Sequence, residues 1–333
     1  MEQFAIFRLT NMSPLHMGLG KDDYDFSAYE VCSDTLSAAL AAMRVRFRGK
    51  TEDVKEFLSS FRISSCFPYA GDEFFLPRPQ GRIKVEMADA CGNKMDETLY
   101  RKRLKKVRYV SHELFPAIAK GETLRIDASQ LDGDFLFAAP GEHNKPYQKD
   151  VRQRVKVPLE GSADPEPFYF EWYYFQERCG LYCVARAEEP ILCELEDLLC
   201  RLGIEGIGTD RNVGGGKFDV QRRAMEMPDV ENANAMLLLS LYIPTPEELE
   251  AMDLERSRYT IVRRGGYMAG SDDESLRHLR KKNVYMFSTG SVLKTSGRMD
   301  GDIVDVCSPR EGTTMHSVWR SGHPLTLPIL INE

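Results

Sequence analysis

Two rhythms of apolar residues run along the chain. QFAIFRLTNM (3–12) alternates at Phe4, Ile6 and Leu9, which predicts a strand. A helix follows, with Ser33-Asp34 as its N-cap and Leu36, Ala39, Leu40 and Met43 on one face. Thr51 is placed to cap a second helix with the stripe Val54, Phe57, Leu58, Phe61. RISSCFPYAGDEFFLPRP (62–79) reads as strand, Gly-Asp turn, strand and a proline stop. Further on, 168–175 and 181–187 are strand-like. Ile191 to Leu202 is a helix with Gly203 as its C-cap, and FDVQ starts another short strand. Past a linker-like MEMPDVENANA (225–235), strands are expected at 236–243, 258–264, 284–288, 302–306 and in the tail HPLTLPILI. Thr245-Pro246-Glu247-Glu248 forms a capping box among them.

Strands and helices in this mixture define an α+β protein. The chain has 333 residues, room for two domains. The expected division is 1–225, carrying a finger at about 132–167, and 226–333. The finger rests on a Gly-, Pro- and charge-rich stretch that lacks helical periodicity. No apolar run reaches the ~18 residues of a membrane span. The first residues carry Glu2 and no apolar leader core. Eight cysteines scattered over a long chain read as reduced thiols, so a cytoplasmic protein is expected.

Charge narrows the function classes. Lys plus Arg number 44 and Asp plus Glu 51, a net −7, which excludes holding polyanions by bulk positive charge. Any nucleic-acid site is then a local patch. RKRLKKVR (101–108) puts six bases in eight positions, as a solvated helix face or as part of a polyanion surface. HNKPYQKDVRQRVKV (143–157) carries His143, Lys145, Lys149, Arg152 and Arg154.

The sharpest chemical feature is the glycine-rich stretch GIEGIGTDRNVGGGK (203–217). It is not a P-loop, because Phe218 stands where magnesium needs a Ser or Thr. It is not a dinucleotide fingerprint either. The order is helix, glycines, strand, and Arg211 takes the third glycine position. What remains is a backbone able to take positive φ at Gly214 to Gly216, with free N–H groups between Arg211 and Lys217. That suits a sugar–phosphate chain; a plain connecting loop is the alternative. Six histidines show no metal spacing, and no GxSxG occurs. Cys193 and Cys200 share a helix face expected to be core. His16, in a turn beside glycine, is a candidate for RNA contact or catalysis. Asp22, Asp23, Asp272 and Asp273 read as turn residues. The aromatics of 168–175 fit a core strand pair better than a base-stacking platform.

The order of these motifs resembles a known family. SPLHMG, SDTLSAAL, FRISSCFPYAGDEFFLPRP, IGTDRNVGGGKFDV and VWRSGHPLTLPI occur in the sequence typical of the fourth subunit of the type III-A CRISPR–Cas Csm complex, a Cas-five-like RAMP protein. The resemblance covers nearly the whole chain; 85–165 matches in general character only. It implies two ferredoxin-like (RRM-like) RAMP domains with an inserted finger hairpin. It also implies a non-catalytic subunit without cofactor, which grips the repeat-derived 5′ tag of crRNA. Such a subunit bridges the large polymerase-like subunit and the backbone subunit. Gly206, Gly208, Asp210, Arg211, Gly214, Gly215, Gly216 and Lys217 are carried over as RNA contacts, as are His16 and Gly18 of the loop after the first strand. The finger is placed at His143–Lys156 by position and charge. A metal-independent repeat-cleaving endoribonuclease on the same fold is the alternative, with His16 as its base.

Overall fold

The computed structural model describes residues 2–18, 26–28, 30–88, 96–156, 164–268, 279–308 and 315–331. Asp22, Asp23, Asp272, Asp273 and positions 157–163 of the expected finger lie outside them. The chain opens with β1 (Glu2–Thr10), α1 (Ser33–Arg48), α2 (Val54–Ser59), β2 (Arg62–Ile63), β3 (Phe67–Ala70) and β4 (Glu73–Pro77). A long insertion follows: β5 (Val85–Ala88), α3 (Glu97–Lys106), β6 (Tyr109–Ser111), α4 (Phe115–Ala119), β7 (Leu124–Asp127), β8 (Leu131–Asp132), β9 (Phe135–Leu136), β10 (Tyr147–Lys156) and β11 (Glu166–Phe175). The chain then returns through β12 (Cys179–Arg186), α5 (Glu189–Glu205) and β13 (Asp219–Met227). The last third holds β14 (Ala235–Leu238), α6 (Pro246–Glu250), β15 (Met252–Arg258), β16 (Ile261–Arg264), β17 (Val284–Phe287), β18 (Val292–Thr295), β19 (Ile303–Asp305), β20 (Trp319–Ser321) and β21 (Thr326–Ile329).

The first sheet runs β13-β1-β12-β3-β4-β6-β9-β8. Its first four members and two helices read β1-α1-β3-β12-α5-β13 along the chain, so the spatial order is fourth, first, third, second. The C-terminal sheet repeats this order, since β15-β18-β14-β21 is second, third, first, fourth. β1 is central, pairing antiparallel with β12 on one side and β13 on the other. Both its faces are covered as well, since Phe4 and Ile6 on one and Phe7 and Leu9 on the other are all buried. α1 and α5 lay Leu36, Leu40, Leu195, Leu199 and Leu202 into one core that continues into Leu237, Leu239 and Leu327 of the C-terminal sheet.

The insertion is larger than the expected finger. Between β4 and β12 a satellite core forms from Ile83, Met87, Tyr100, Val110, Ile126 and Leu136, with the parallel pair β5–β7. The finger is a ten-residue antiparallel ribbon, β10 with β11, in register from Tyr147↔Phe175 to Lys156↔Glu166. Residues 168–175 are thus one arm of that ribbon rather than a partner of β12. The sequence-based division after residue 225 falls inside β13.

Several local expectations shift. Ser33 and Asp34 do not cap α1, whose N-cap is Cys32 without a side-chain bond. Both are buried instead against the C-terminal third. Ser33 Oγ accepts the Leu241 N–H at 2.9 Å. Asp34 holds Arg264 and Arg320 at 2.9 Å each. The N-cap of α2 is Asp53, not Thr51. Cys193 and Cys200 are exposed, because the buried stripe of α5 is the leucine stripe one position away. α5 also runs past Gly203 to end at Gly206. Gly203 lies within the helix and has to be glycine because a Cβ there would meet the Phe218 carbonyl at 2.1 Å. The capping box at Thr245 and Glu248 forms as expected, with Pro246 in the first turn.

Candidate nucleic-acid interface

The glycine loop spans α5 and β13 and is held from two sides. On one side lies the segment after β1. Ser13 Oγ donates to Gly214 O at 2.7 Å and accepts from Lys217 N at 2.7 Å. Gly216 N donates to Pro14 O, and Thr209 N to His16 O. On the other side lies the ribbon. Arg154 of β10 pairs with Asp210 at 2.5 Å, its guanidinium 4.5 Å above the Phe170 ring and 5.3 Å from Trp172. Gly215 packs so close to Trp172 that a Cβ would sit 3.0 Å from the indole. Sequence reading missed Ser13, Phe170, Trp172 and Glu171. Their role shows only when β11 is brought beside the loop after β1, where Leu15 and Tyr173 exchange two backbone bonds.

This bracing corrects the expected use of the glycines. The N–H groups of Gly214, Gly215 and Gly216 are bonded internally, to Arg211 O, Asp210 O and Pro14 O. Gly206, Gly215 and Gly216 are buried. At Gly216, φ is +66° and a Cβ would lie 1.8 Å from Ile207 O, so glycine is required for the loop's own folding. Gly208 is packed likewise on His16 O. Gly214 differs, with φ +89° and open space around it. The outward edge is Arg211, Asn212, Val213 and Lys217, all exposed, with Gly214 half-buried beside them. Asp210 turns the chain at φ +55° into a short 3-10 turn, Arg211–Val213. Among the described residues, the amides of Asp210, Arg211 and Asn212 have no internal acceptor.

His16 is not a surface group. It is 1% exposed, its Nδ1 lies 2.7 Å from Glu171 O, and its ring stacks 4.3 Å from Phe170. It braces the loop, and in this position neither its side chain nor a proton on it reaches solvent. Gly18 is exposed and bridges to Ser27, whose N–H donates to the Glu171 carboxylate.

The finger residues divide. Lys149, Arg152 and Arg154 lie on the ribbon. Lys149 pairs with Glu171 at 3.6 Å over the Tyr173 ring, and Arg152 with Asp150 at 2.8 Å over Tyr174. Such half-exposed pairs add little stability. His143 and Lys145 are not brought to the loop. His143 stacks flat on Phe137 at 3.9 Å, and Lys145 pairs with Asp132 of β8 at 2.8 Å. They tie the root of the ribbon to β8 and to the residue that follows β9.

Taken together, loop and ribbon form one braced surface. It offers two exposed cations, a guanidinium stacked on aromatic rings and a short turn with open amides. Such a set presents positive charge and hydrogen-bond donors of the kind that pair with phosphate oxygens by position rather than by bulk charge.

Comparison with known proteins gives a consistent result. Residues 231–329 match the family model described as the CRISPR Csm4 C-terminal domain. The CRISPR system Cms protein Csm4 of Thermococcus onnurineus (strain NA1) is 26% identical over 270 residues, 79% of this chain and 81% of that protein. The fold is shared with the solved Csm3-Csm4 subcomplex of the type III-A CRISPR-Cas interference complex, at TM-score 0.60 and 16% identity over 98% of this chain and 99% of that one. It is shared too with the Csm1-Csm4 cassette in complex with AMPPNP, at TM-score 0.58 and 18% identity over the whole of both chains. No helix among the described residues is long and apolar enough to cross a membrane.

Proposed function

We propose that this chain, a member of the Csm4 family of type III CRISPR complex subunits, grips the repeat-derived 5′ tag of a crRNA without catalysing a reaction. It bridges a large Csm1-like polymerase subunit and a Csm3-like backbone subunit, a reading supported by relatives solved with Csm1 and, separately, with Csm3. The recurring strand order of the two sheets supports reading each as a ferredoxin-like RAMP domain, the β10–β11 ribbon being the inserted finger.

One observation carries the RNA reading. The glycine loop is locked by Ser13, Pro14, Trp172 and Arg154 while Arg211 and Lys217 stay exposed on its rim. A preformed cradle of this kind lets a strand bind without ordering the loop at that moment. A net charge of −7 disfavours retention of RNA by bulk charge, so binding has to come from local patches.

The endoribonuclease alternative loses support at His16. A general base must reach the 2′-hydroxyl of its substrate. This histidine is buried under Phe170 and bonded to Glu171 O.

The test is co-purification with the sister subunits, comparing wild type with Arg211→Ala/Lys217→Ala. The double variant should keep its fold and its partners but retain less crRNA. Its salt slope should fall by about 1.4, from ~0.7 per lost phosphate contact on a single strand. Equal crRNA content in the two preparations would reject the loop assignment. Cleavage of a repeat RNA by the pure protein in EDTA would reject the non-catalytic reading.

A further inference from the structure

Away from the glycine loop, two clefts meet at Pro79–Gly81, where the N-terminal half, the satellite and the C-terminal third converge. The first, about 400 Å³, has apolar walls from Phe67, Pro77 and Tyr109, with Arg78, Arg108 and Thr260 at its polar positions. The second, about 600 Å³, is lined by Arg82, Lys84 and Arg258 beside Tyr100 and Ile331. α3 borders both: Tyr100 lies in one wall, and Val107 and Arg108, just past the helix end, lie in the other.

Thus the basic run 101–108 has a place in the fold. Arg103, Lys105 and Lys106 fall in the last turn of α3, where cations complement the helix's negative end. Arg101 and Lys102 are exposed and lie before that turn.

The opposite rim is the β16–β17 ribbon with the end of β15. Thr260, at the entry to β16, binds the Gln80 side chain at 3.1 Å, which ties this rim to the cleft floor. Arg263 and Tyr285 are register partners, so they share a face, and both are exposed, Tyr285 at 68%. Tyr259 is fixed edge-on against Phe287 at 5.1 Å, and Ile261 beside it is exposed. Glu30, Glu86 and Glu122 line the clefts, and Glu255 stands on the rim. Burial raises the Glu30 pKa.

We infer that this groove, from α3 across Pro79–Gly81 to the β16–β17 ribbon, is a second binding surface for single-stranded RNA, separate from the glycine loop. Cations on the cleft walls, with the exposed rings of Tyr259 and Tyr285 on the adjoining ribbon, match a phosphate backbone with splayed bases. On a chain of net −7 such a concentration of bases is local and directed. The inference deepens the RNA-binding reading and rests on it, in that the two surfaces would hold successive stretches of one strand.

The experiment titrates the full-length protein with fluorescein-labelled U10 and A10 RNA across a salt series. Three variants are compared with wild type: Arg82→Ala/Lys84→Ala/Arg108→Ala for the cations that line the clefts, Tyr285→Ala for the ribbon rim, and Arg211→Ala/Lys217→Ala for the glycine loop. All replace exposed side chains, and unchanged melting confirms the fold. The triple variant should lose about tenfold in affinity, with a salt slope lower by about 2 from three phosphate contacts at ~0.7 each. Tyr285→Ala should lose several-fold with the slope unchanged, the mark of stacking. Wild-type binding by both groove variants, with loss only in the loop variant, overturns the groove and leaves the tag reading standing. Loss only in the groove variants supports the groove and overturns the loop assignment. Full RNA binding in all three overturns both. Groove variants that keep RNA but lose the sister subunits on co-purification make the face a protein interface and overturn the inference.

Discussion

Gly214 and Gly216 are two residues apart, both at positive φ, and they respond differently to a methyl group. At Gly214 (φ +89°) an added Cβ meets nothing within 4 Å. Alanine there bears only the left-handed backbone penalty, about 1 kcal/mol. At Gly216 (φ +66°) the same atom would sit 1.8 Å from Ile207 O, far inside van der Waals contact. Backbone has to move against backbone, with no flexible side chain to yield. Moving it breaks two bonds, Ile207 N to Gly216 O and Gly216 N to Pro14 O, each 2.9 Å. At ~1 kcal/mol for each bond and ~1 for the positive φ, the cost is about 3 kcal/mol or more. Chemical denaturation of Gly214→Ala and Gly216→Ala gives the two costs directly, and hydrogen exchange at Ile207 and Gly216 localises them. RNA retention should follow Gly216→Ala down and change little in Gly214→Ala. Equal destabilisation by the two alanines, or unaltered exchange at Ile207 in Gly216→Ala, would refute the account of how this loop is built.

Two further outcomes follow from burial. Removing the carboxylate in Asp34→Ala leaves Arg264 and Arg320 without their shared anion, at a cost of about 3–5 kcal/mol; a melting temperature close to wild type would contradict the role of this ion triad in joining the two halves. Burial, and then Arg62 nearby, lower His323 from its ordinary value to about 4. An unfolded chain binds its proton near pH 6.5, so this residue contributes stability above that pH. The contribution is lost as pH falls towards 4, by about 1–3 kcal/mol given its partial exposure. His323→Gln should flatten the pH dependence of the urea midpoint between pH 6.5 and 4, and parallel curves for variant and wild type would contradict this.

What the sequence could disclose was local. Thr245, Pro246 and Glu248 name their own capping box, and the leucine stripe of α5 names its own face. These are interactions within a few residues, where periodicity and cap chemistry suffice. Ser33-Asp34 looked like the same kind of signal and was not. Its partners, Leu241, Arg264 and Arg320, lie more than 200 positions away. A buried acid at a helix start has the same one-dimensional signature as a cap. The loop shows the same limit. Its glycines marked the site, but whether each glycine faces a ligand or its own chain depends on Pro14, His16 and Trp172 arriving from elsewhere. The satellite core went unseen because its strands are two to four residues long, too short for alternation to register. The burial of His16 was not legible, because turn residues are usually exposed. Here β11 closes over that turn.

Three cations of the β10–β11 ribbon arrive already loaded. Arg154 has Asp210, Arg152 has Asp150 and Lys149 has Glu171. A phosphate that docks on this ribbon therefore displaces a carboxylate of the protein, not a counterion of the buffer. The exchange is anion for anion within one molecule, and ionic strength acts on both sides of it. The contacts made there go largely uncounted in a salt titration, which registers ions released from solution. A strand seated on the ribbon is held more firmly than its salt dependence indicates. A stray polyanion without the right spacing finds each charge occupied by a tethered competitor that never diffuses away.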